Sequence, residues 1–184
     1  MTAPAKTTEF HATPRVEKGT IEPNPINLSE DAVHALVPEL DAHLASLFVM
    51  FHQYQKHHWL VEGPSFMEIH EQLEAYYDEV HEDLDAIAER MTALGGIPTS
   101  APMEQAMLAY ISHEPEGIFS MRDMLKRDRF YEGLIAERLR ATITVAQQHE
   151  DYGTSHLLEE VLEHCEERAH HLDHYLGEDT LYKE

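Results

Sequence analysis

Two histidines flank a predicted tight turn and are suited to binding a metal ion. His58 ends an apolar stripe with the spacing of one helix face, and His70 lies near the start of the next predicted helix. Gly63 and Pro64 end the first helix, so the two helices should run antiparallel with both imidazoles at a similar height. A lone histidine is more often a core or surface residue, but two level imidazoles form a candidate pair of nitrogen ligands.

Two carboxylates further along the second helix are the other candidate ligands. Asp85 and Glu89 are four residues apart, so they share one helix face. A solvated pair is the usual interpretation of such spacing. Here the pair lies beside the predicted core residues Leu84, Ile87 and Ala88. Burying two like charges there is costly unless a cation neutralises them.

Helical geometry prevents one subunit from joining these two groups. His70 and Asp85 are fifteen residues apart on one helix, which corresponds to roughly 22 Å along its axis. Two copies of this helix, antiparallel across a two-fold axis, would bring His70 of one copy to Asp85 and Glu89 of the other. The sequence therefore predicts that any such site lies between subunits, with two equivalent His/His/Asp/Glu sites per dimer.

Four long helices are predicted to position these residues. Their predicted starts are near Ser29, Ser65, Ser120 and Thr154, and their predicted ends are at Gly63, Gly95, Gln148 and Gly177. Pro38 predicts a kink or a second start in the first helix. Residues 97–119 form a long connection, with a short helix predicted over residues 102–111. The expected organisation is an extended tail over 1–28, a bundle over 29–177 and a C-terminal tail over 178–184.

This layout predicts the fold class. Two helix pairs with short loops, joined by one long crossover, are typical of the ferritin-like bundle. We therefore expect an all-α chain, a ferritin-like four-helix bundle whose long crossover carries a short helix. An arrangement of helices alone does not give a function.

The composition excludes several classes of partner. Asp and Glu number 35 against 13 Lys and Arg, which gives a formal net charge of −22. Such a surface repels phosphate backbones and suits cation binding or solubility at high salt. Cys165 is the only cysteine, so no disulfide can form within the chain. No run approaches the roughly 18 apolar residues of a membrane span, and the polar N-terminus does not read as a signal peptide; a cytoplasmic location without membrane contact is expected.

Several segments together resemble the Dps mini-ferritin family. They are residues 58–66 (HWLVEGPSF), 69–71 (IHE), 85–90 (DAIAER) and 94–96 (LGG). The helices extend the resemblance over residues 30–176. The acidic, lysine-poor composition resembles in particular the DpsA type of halophilic archaea.

The resemblance implies a function and a set of site residues. Its ferroxidase ligands correspond to His58 and His70 of one subunit with Asp85 and Glu89 of the two-fold partner. Glu74 falls near the family's second iron position, and Trp59 matches a tryptophan thought to intercept reactive intermediates. The family forms homododecameric shells, oxidises Fe(II) with hydrogen peroxide or sometimes dioxygen, and stores the Fe(III) product as mineral, which protects against oxidative damage.

Other interpretations compete with this one. Ferritin-like di-iron oxidases carry Glu-x-x-His on two helices within one bundle. Glu167 and His170 give one match, but the first half offers only Asp78 before His81, and the first helix has no interior Glu. We expect Glu167 and His170 on a polar face instead. A non-catalytic scaffold bundle, with the histidines and acids as surface residues, is the remaining alternative.

Two further sites are implied by the resemblance. The family's three-fold pore is lined by acids near the start of the last helix, where this chain has His149, Glu150, Asp151 and His156. A funnel for iron and a solvated loop are both consistent with these residues. Helix two also carries an acidic face of Glu71, Glu74, Asp78 and Glu82 that is either a mineral-nucleating wall or an ordinary solvated face. Because the N-terminal tail is almost neutral, no direct DNA binding is expected.

Overall fold

The computed structural model describes residues 12–178, which contain five helices and no strand. The helices are α1 (Glu30–Leu60), α2 (Phe66–Ala93), α3 (Pro102–Leu108), α4 (Met121–Gln148) and α5 (Tyr152–Tyr175). α1 pairs with α2, α4 pairs with α5, and α1 also packs on α4. The four long helices enclose one apolar core, and the crossover carries α3. The predicted ferritin-like four-helix bundle is confirmed.

α1 supplies the central wall of the core. The Ser29 side chain accepts a hydrogen bond from the Ala32 amide and so caps the helix, which continues uninterrupted through Pro38. By length and composition α1 is the one helix among residues 12–178 that could cross a membrane, but 67% of its apolar window is buried in the bundle. Packing against the other helices therefore accounts for its apolar character.

The segment before α1 is held against the end of α2. Gly95 has φ +84°, and a Cβ built on it would lie 2.0 Å from the Glu22 carbonyl oxygen. Glu22 in turn donates its amide to the Gly95 carbonyl at 2.9 Å. Lys18 pairs with the buried carboxylate of Asp41 at 2.8 Å. Only glycine permits this approach at position 95, which lets the backbone at Glu22 lie against the end of α2.

α3 ends three residues before its predicted end. Ala109 is already extended, with ψ 139°, and the Tyr110 amide donates to the Ser46 hydroxyl at 3.1 Å. The Tyr110 hydroxyl lies 2.8 Å from His43 Nδ1, and Ile111 is buried. Contacts with α1 therefore outweigh continuation of the helix.

The last two helices begin at side-chain caps. Ser120 accepts from the Asp123 amide at 3.1 Å, as the sequence predicts. Asp151 accepts from the Thr154 amide at 2.9 Å, so α5 begins at Tyr152, two residues before the predicted start. The C-cap residue of α5 is Leu176, and Gly177 directly follows it.

Candidate metal centre

His58 and His70 form one structural unit at the α1–α2 turn. Their rings stack with centroids 3.7 Å apart and planes inclined by 20°. His58 Nδ1 lies 2.9 Å from the His70 carbonyl oxygen, and His70 Nδ1 lies 2.8 Å from the His58 carbonyl oxygen. The two main-chain carbonyls thus hold both rings in place reciprocally. The predicted level pair is therefore present in the structure.

These two hydrogen bonds determine which nitrogen of each ring carries the proton. A carbonyl oxygen only accepts, so each Nδ1 must carry the proton and donate it. In the neutral imidazole the proton is then absent from Nε2, whose lone pair is free for a metal ion. Orientation of a ligating imidazole through a hydrogen bond from its other nitrogen is the usual outer-shell arrangement of metal sites. In a neutral ring, Nε2 is thus the nitrogen of His58 or His70 whose lone pair a metal ion could use.

Aromatic and apolar side chains surround the histidine pair. Tyr77 packs edge-on against His58 at 5.5 Å, and Phe66 lies against His70 at 5.0 Å. Trp59 and Met67 extend outward and are 68% and 59% exposed in the single subunit. Both side chains leave apolar surface exposed in the single subunit.

The predicted carboxylate ligands lie elsewhere on α2. Glu74, Asp85 and Glu89 are all exposed in the single subunit. α2 is continuous from Phe66 to Ala93, so Asp85 remains roughly 22 Å from His70 along the axis. Within residues 12–178 of one subunit, no three His, Cys, Asp or Glu side chains form a group able to hold a metal. One subunit brings together the two histidines but not the complete predicted ligand set.

The interior of the bundle is occupied by an arginine. Arg168 is 1% exposed and donates to Glu132 at 2.7 Å and to Glu79 at 2.6 Å. Asp83 lies 3.4 Å from the same guanidinium and 2.8 Å from His164 Nδ1. One buried guanidinium is therefore shared by three carboxylates. Sequence reasoning missed this cluster, although Arg168 is an arginine on the apolar face of α5.

The Tyr54 hydroxyl completes the same interior cluster. It donates to Glu132 at 2.6 Å, and burial together with the Glu132 charge raises the pKa of Tyr54 well above its usual range. Glu167 and His170, the Glu-x-x-His match, are both exposed on α5. The prediction that they lie on a polar face is confirmed.

A second buried network connects α1, the crossover and α4. His57 is 0% exposed, with Nδ1 2.7 Å from Asp128 and Nε2 3.1 Å from Glu114. Lys56 donates to Glu114 at 2.6 Å, and Gln53 donates to Asp128 at 2.8 Å. Burial alone would lower the pKa of His57, but the two carboxylates outweigh burial and raise it. This network fastens the end of the crossover to the bundle.

The ferritin-like domain model matches residues 38–181. The chain belongs to the ferritin-like family. It is 36% identical over 168 residues to a DNA protection during starvation protein of Halobacterium salinarum, covering 91% of this chain and 92% of that one. It is also 36% identical over 163 residues to a nutrient stress-induced DNA-binding protein of Nostoc, covering 89% of each chain.

Solved structures give the same assignment for this ferritin-like chain. An archaeal Dps homologue from Halobacterium salinarum superposes with a TM-score of 0.90 at 35% identity, covering 94% of this chain and 96% of that one. DpsC from Streptomyces coelicolor also has a TM-score of 0.90, at 28% identity, covering 93% and 100%. The predicted resemblance to Dps-like mini-ferritins is confirmed, and membership supports a role in iron storage.

The predicted pore residues of this Dps-like chain have different environments. His149 is the half-buried C-cap residue of α4, and Glu150 is exposed with φ +58°. Asp151 is buried, caps α5 and pairs with Arg90 at 2.6 Å. His156 is exposed and lies 3.5 Å from Glu160. Three of the four predicted residues are accessible, whereas Asp151 is committed to contacts within the subunit.

Proposed function

We propose that this chain oxidises Fe(II), with hydrogen peroxide or dioxygen, at sites shared by two subunits. The Fe(III) product would be stored as mineral in a dodecameric cytoplasmic shell, which removes both reactants of oxidative damage. The observation that carries the proposal is the stacked His58–His70 pair, in which both Nδ1 atoms are engaged and neither Nε2 atom has a hydrogen bond to another residue among 12–178.

A two-fold axis would complete the ligand set. Asp85 and Glu89 are exposed on α2, and Asp85 lies roughly 22 Å along the helix axis from His70 of the same chain. If two α2 helices pack antiparallel, His58 and His70 of one subunit meet Asp85 and Glu89 of the partner subunit. The exposed Trp59 and Met67 beside the pair provide apolar surface for that contact.

The donor types suit iron in both oxidation states. Imidazole nitrogen suits Fe(II), and carboxylate oxygen suits the harder Fe(III) product. Two Fe(II) ions together supply the two electrons that convert one hydrogen peroxide to two hydroxide ions, so no hydroxyl radical needs to leave the site. Trp59 would intercept any one-electron product, and Glu74, one turn beyond His70, would serve the second ion.

The bundle interior argues against a di-iron oxidase acting on an organic substrate. Such an enzyme needs its carboxylates free inside one bundle. Here Glu132, Glu79 and Asp83 surround the guanidinium of Arg168. A scaffold without chemistry is less favoured, because it gives no reason for two histidines to be oriented reciprocally with free Nε2 atoms.

Two further surfaces would serve iron entry and mineral nucleation. Exposed Glu150 and His156 would line a path for Fe(II) into the shell, with His149 behind them and with Asp151 in the structural role of holding Arg90. The exposed acids of α2 would nucleate mineral where they face the cavity; they are Glu71, Glu74, Asp78 and Glu82.

The test is a double substitution of the two histidines. His58→Ala with His70→Ala should abolish fast Fe(II) oxidation, followed by absorbance of the ferric product after peroxide addition. The shell should still assemble, because both rings are half-buried at the subunit surface. His34→Ala, an exposed histidine in the first turns of α1, is the matched control. Undiminished oxidation by an assembled double variant would overturn the proposal.

A further inference from the structure

One face of α2 carries ligand-type side chains beyond the expected four. At about 100° per residue, His70, Glu74, His81, Asp85 and Glu89 fall within an arc of about 100° on the helix. His81 lies only about 20° around the helix from His70, between it and Asp85. The stripe thus runs from His70 to the carboxylates Asp85 and Glu89, and His81 is the third of its five residues.

The surroundings of His81 connect it to the histidine pair. Its ring lies 5.6 Å from that of Phe51, which packs against Tyr77 at 5.9 Å. Tyr77 in turn contacts the His58 ring edge-on and donates to Glu74 at 3.3 Å. His81 is exposed, and no described residue forms a hydrogen bond or ion pair with it. Both ring nitrogens are therefore available.

If two α2 helices pack antiparallel, their register places the His81 ring beside the shared site. If His70 of one subunit is level with Asp85 and Glu89 of the partner subunit, the axis passes near residues 78–79 of α2. His81 of the partner subunit is then level with residues 74–78, where Glu74 lies. No other imidazole on α2 lies between His70 and Glu89.

We infer that His81 of the partner subunit is a further nitrogen ligand of the shared site, at the second metal position beside Glu74. The inference rests on the proposed function, because it needs the antiparallel dimer. A mixed imidazole–carboxylate set at that position favours a divalent first-row ion such as Fe(II) over Mg²⁺ or Ca²⁺, which prefer oxygen donors. A surface histidine without this role would leave metal binding unchanged when replaced.

The experiment is a titration of the assembled full-length shell with Co(II), followed by calorimetry and by the cobalt absorption bands. His81→Ala should weaken the second binding event by at least roughly tenfold, the lower end of the loss seen for a ligand's outer-shell partner. His81→Gln should behave in the same way, and His81→Glu, which restores a donor, should recover most of the affinity. His34→Ala should match the wild type.

The outcomes separate this inference from the proposed function. Loss of both binding events in His58→Ala with His70→Ala, together with loss of only the second in His81→Ala, supports both. If the double variant loses binding but His81→Ala and His81→Gln bind as wild type, the role of His81 is overturned and the shared site stands. If the double variant binds Co(II) unchanged, the shared site itself is overturned. Light scattering checks that each variant is assembled.

Discussion

Arg168 and Glu132 face each other across the interior of the bundle. The guanidinium Nε lies 2.7 Å from the carboxylate, and both side chains are at most 1% exposed. Glu132 also accepts from Tyr54, so its charge is held by two donors from different helices. In this bundle an arginine stands where di-iron carboxylate enzymes bind metal. The carboxylates Glu132, Glu79 and Asp83 are therefore engaged by a side chain of the same subunit.

Replacement of Arg168 should be strongly destabilising. Arg168→Leu leaves Glu132, Glu79 and Asp83 buried or half-buried without their cation, and such a loss costs about 3 to 5 kcal/mol. The measurement is the thermal unfolding midpoint of the assembled protein. Arg140→Leu, which removes an exposed ion pair with Glu166, is the control and should change stability by less than about 1 kcal/mol. Equal effects of the two variants would contradict this account.

The four helices and the long crossover could be predicted because local sequence signals mark where each helix begins and ends. Serine caps at Ser29 and Ser120, glycine stops and apolar spacing gave the four helices and the crossover. The turn at Gly63 was enough to place His58 level with His70. The reciprocal hydrogen bonds could not be predicted, since they depend on carbonyl positions that only the folded turn provides.

The buried charge networks were missed for a different reason. His57 meets Asp128 across 71 residues, and Glu132 meets Arg168 across 36. Spacing along a helix reports neighbours three or four residues apart, not partners on another helix. The predicted start of α5 near Thr154 is two residues late because the side chain of Asp151, a predicted pore residue, caps the helix.

His57 should make stability depend on pH. Burial alone would lower its pKa, but Asp128 and Glu114 raise it above the ordinary value. A pKa raised by folding contributes stability that is complete below the unfolded value of about 6.5 and is lost as pH rises through the folded value. Thermal midpoints of the wild type and His57→Gln between about pH 6 and pH 9 test this. The advantage of the wild type should shrink as pH increases.

Other charged groups near His57 are the same in the wild type and in the variant. Lys56 and Arg127 both lie beside Glu114, so they stay in the variant and cancel in the comparison. Burial raises the pKa of Asp128, and the hydrogen bond and charge of His57 oppose that rise. A wild-type advantage that grows above pH 7 would show that His57 is not the titrating group.

DNA binding should be absent at ordinary salt, although two relatives carry DNA-binding names. The net charge of −22 repels phosphates, and four arginines on α4 already pair with acids. A mobility-shift assay at about 0.1 M salt should show free DNA when a chelator is present. A shift that appears only when chelator is absent would indicate that cations bridge the protein and the DNA. A shift that persists with chelator as salt rises would contradict this prediction.

Mixed shells can show that each oxidation site draws on two subunits. One variant carries His58→Ala with His70→Ala, and the other carries Asp85→Ala with Glu89→Ala. Each alone should be inactive, because every site lacks one half of its ligands. At a hybrid two-fold interface one site loses all four ligands and the other keeps all four. Unfolding and reassembling the two variants together should therefore restore roughly a quarter of the wild-type rate of Fe(II) oxidation.

The control for this complementation is a mixture of the same shells without reassembly. Light scattering shows in each case that assembled shells are compared, and the mixture should remain inactive because its interfaces are all homotypic. If the ligands acted within one subunit, every chain in the reassembled shell would still lack half of its site and no activity would return. Recovered activity thus requires that His58 and His70 work with carboxylates of a neighbouring chain.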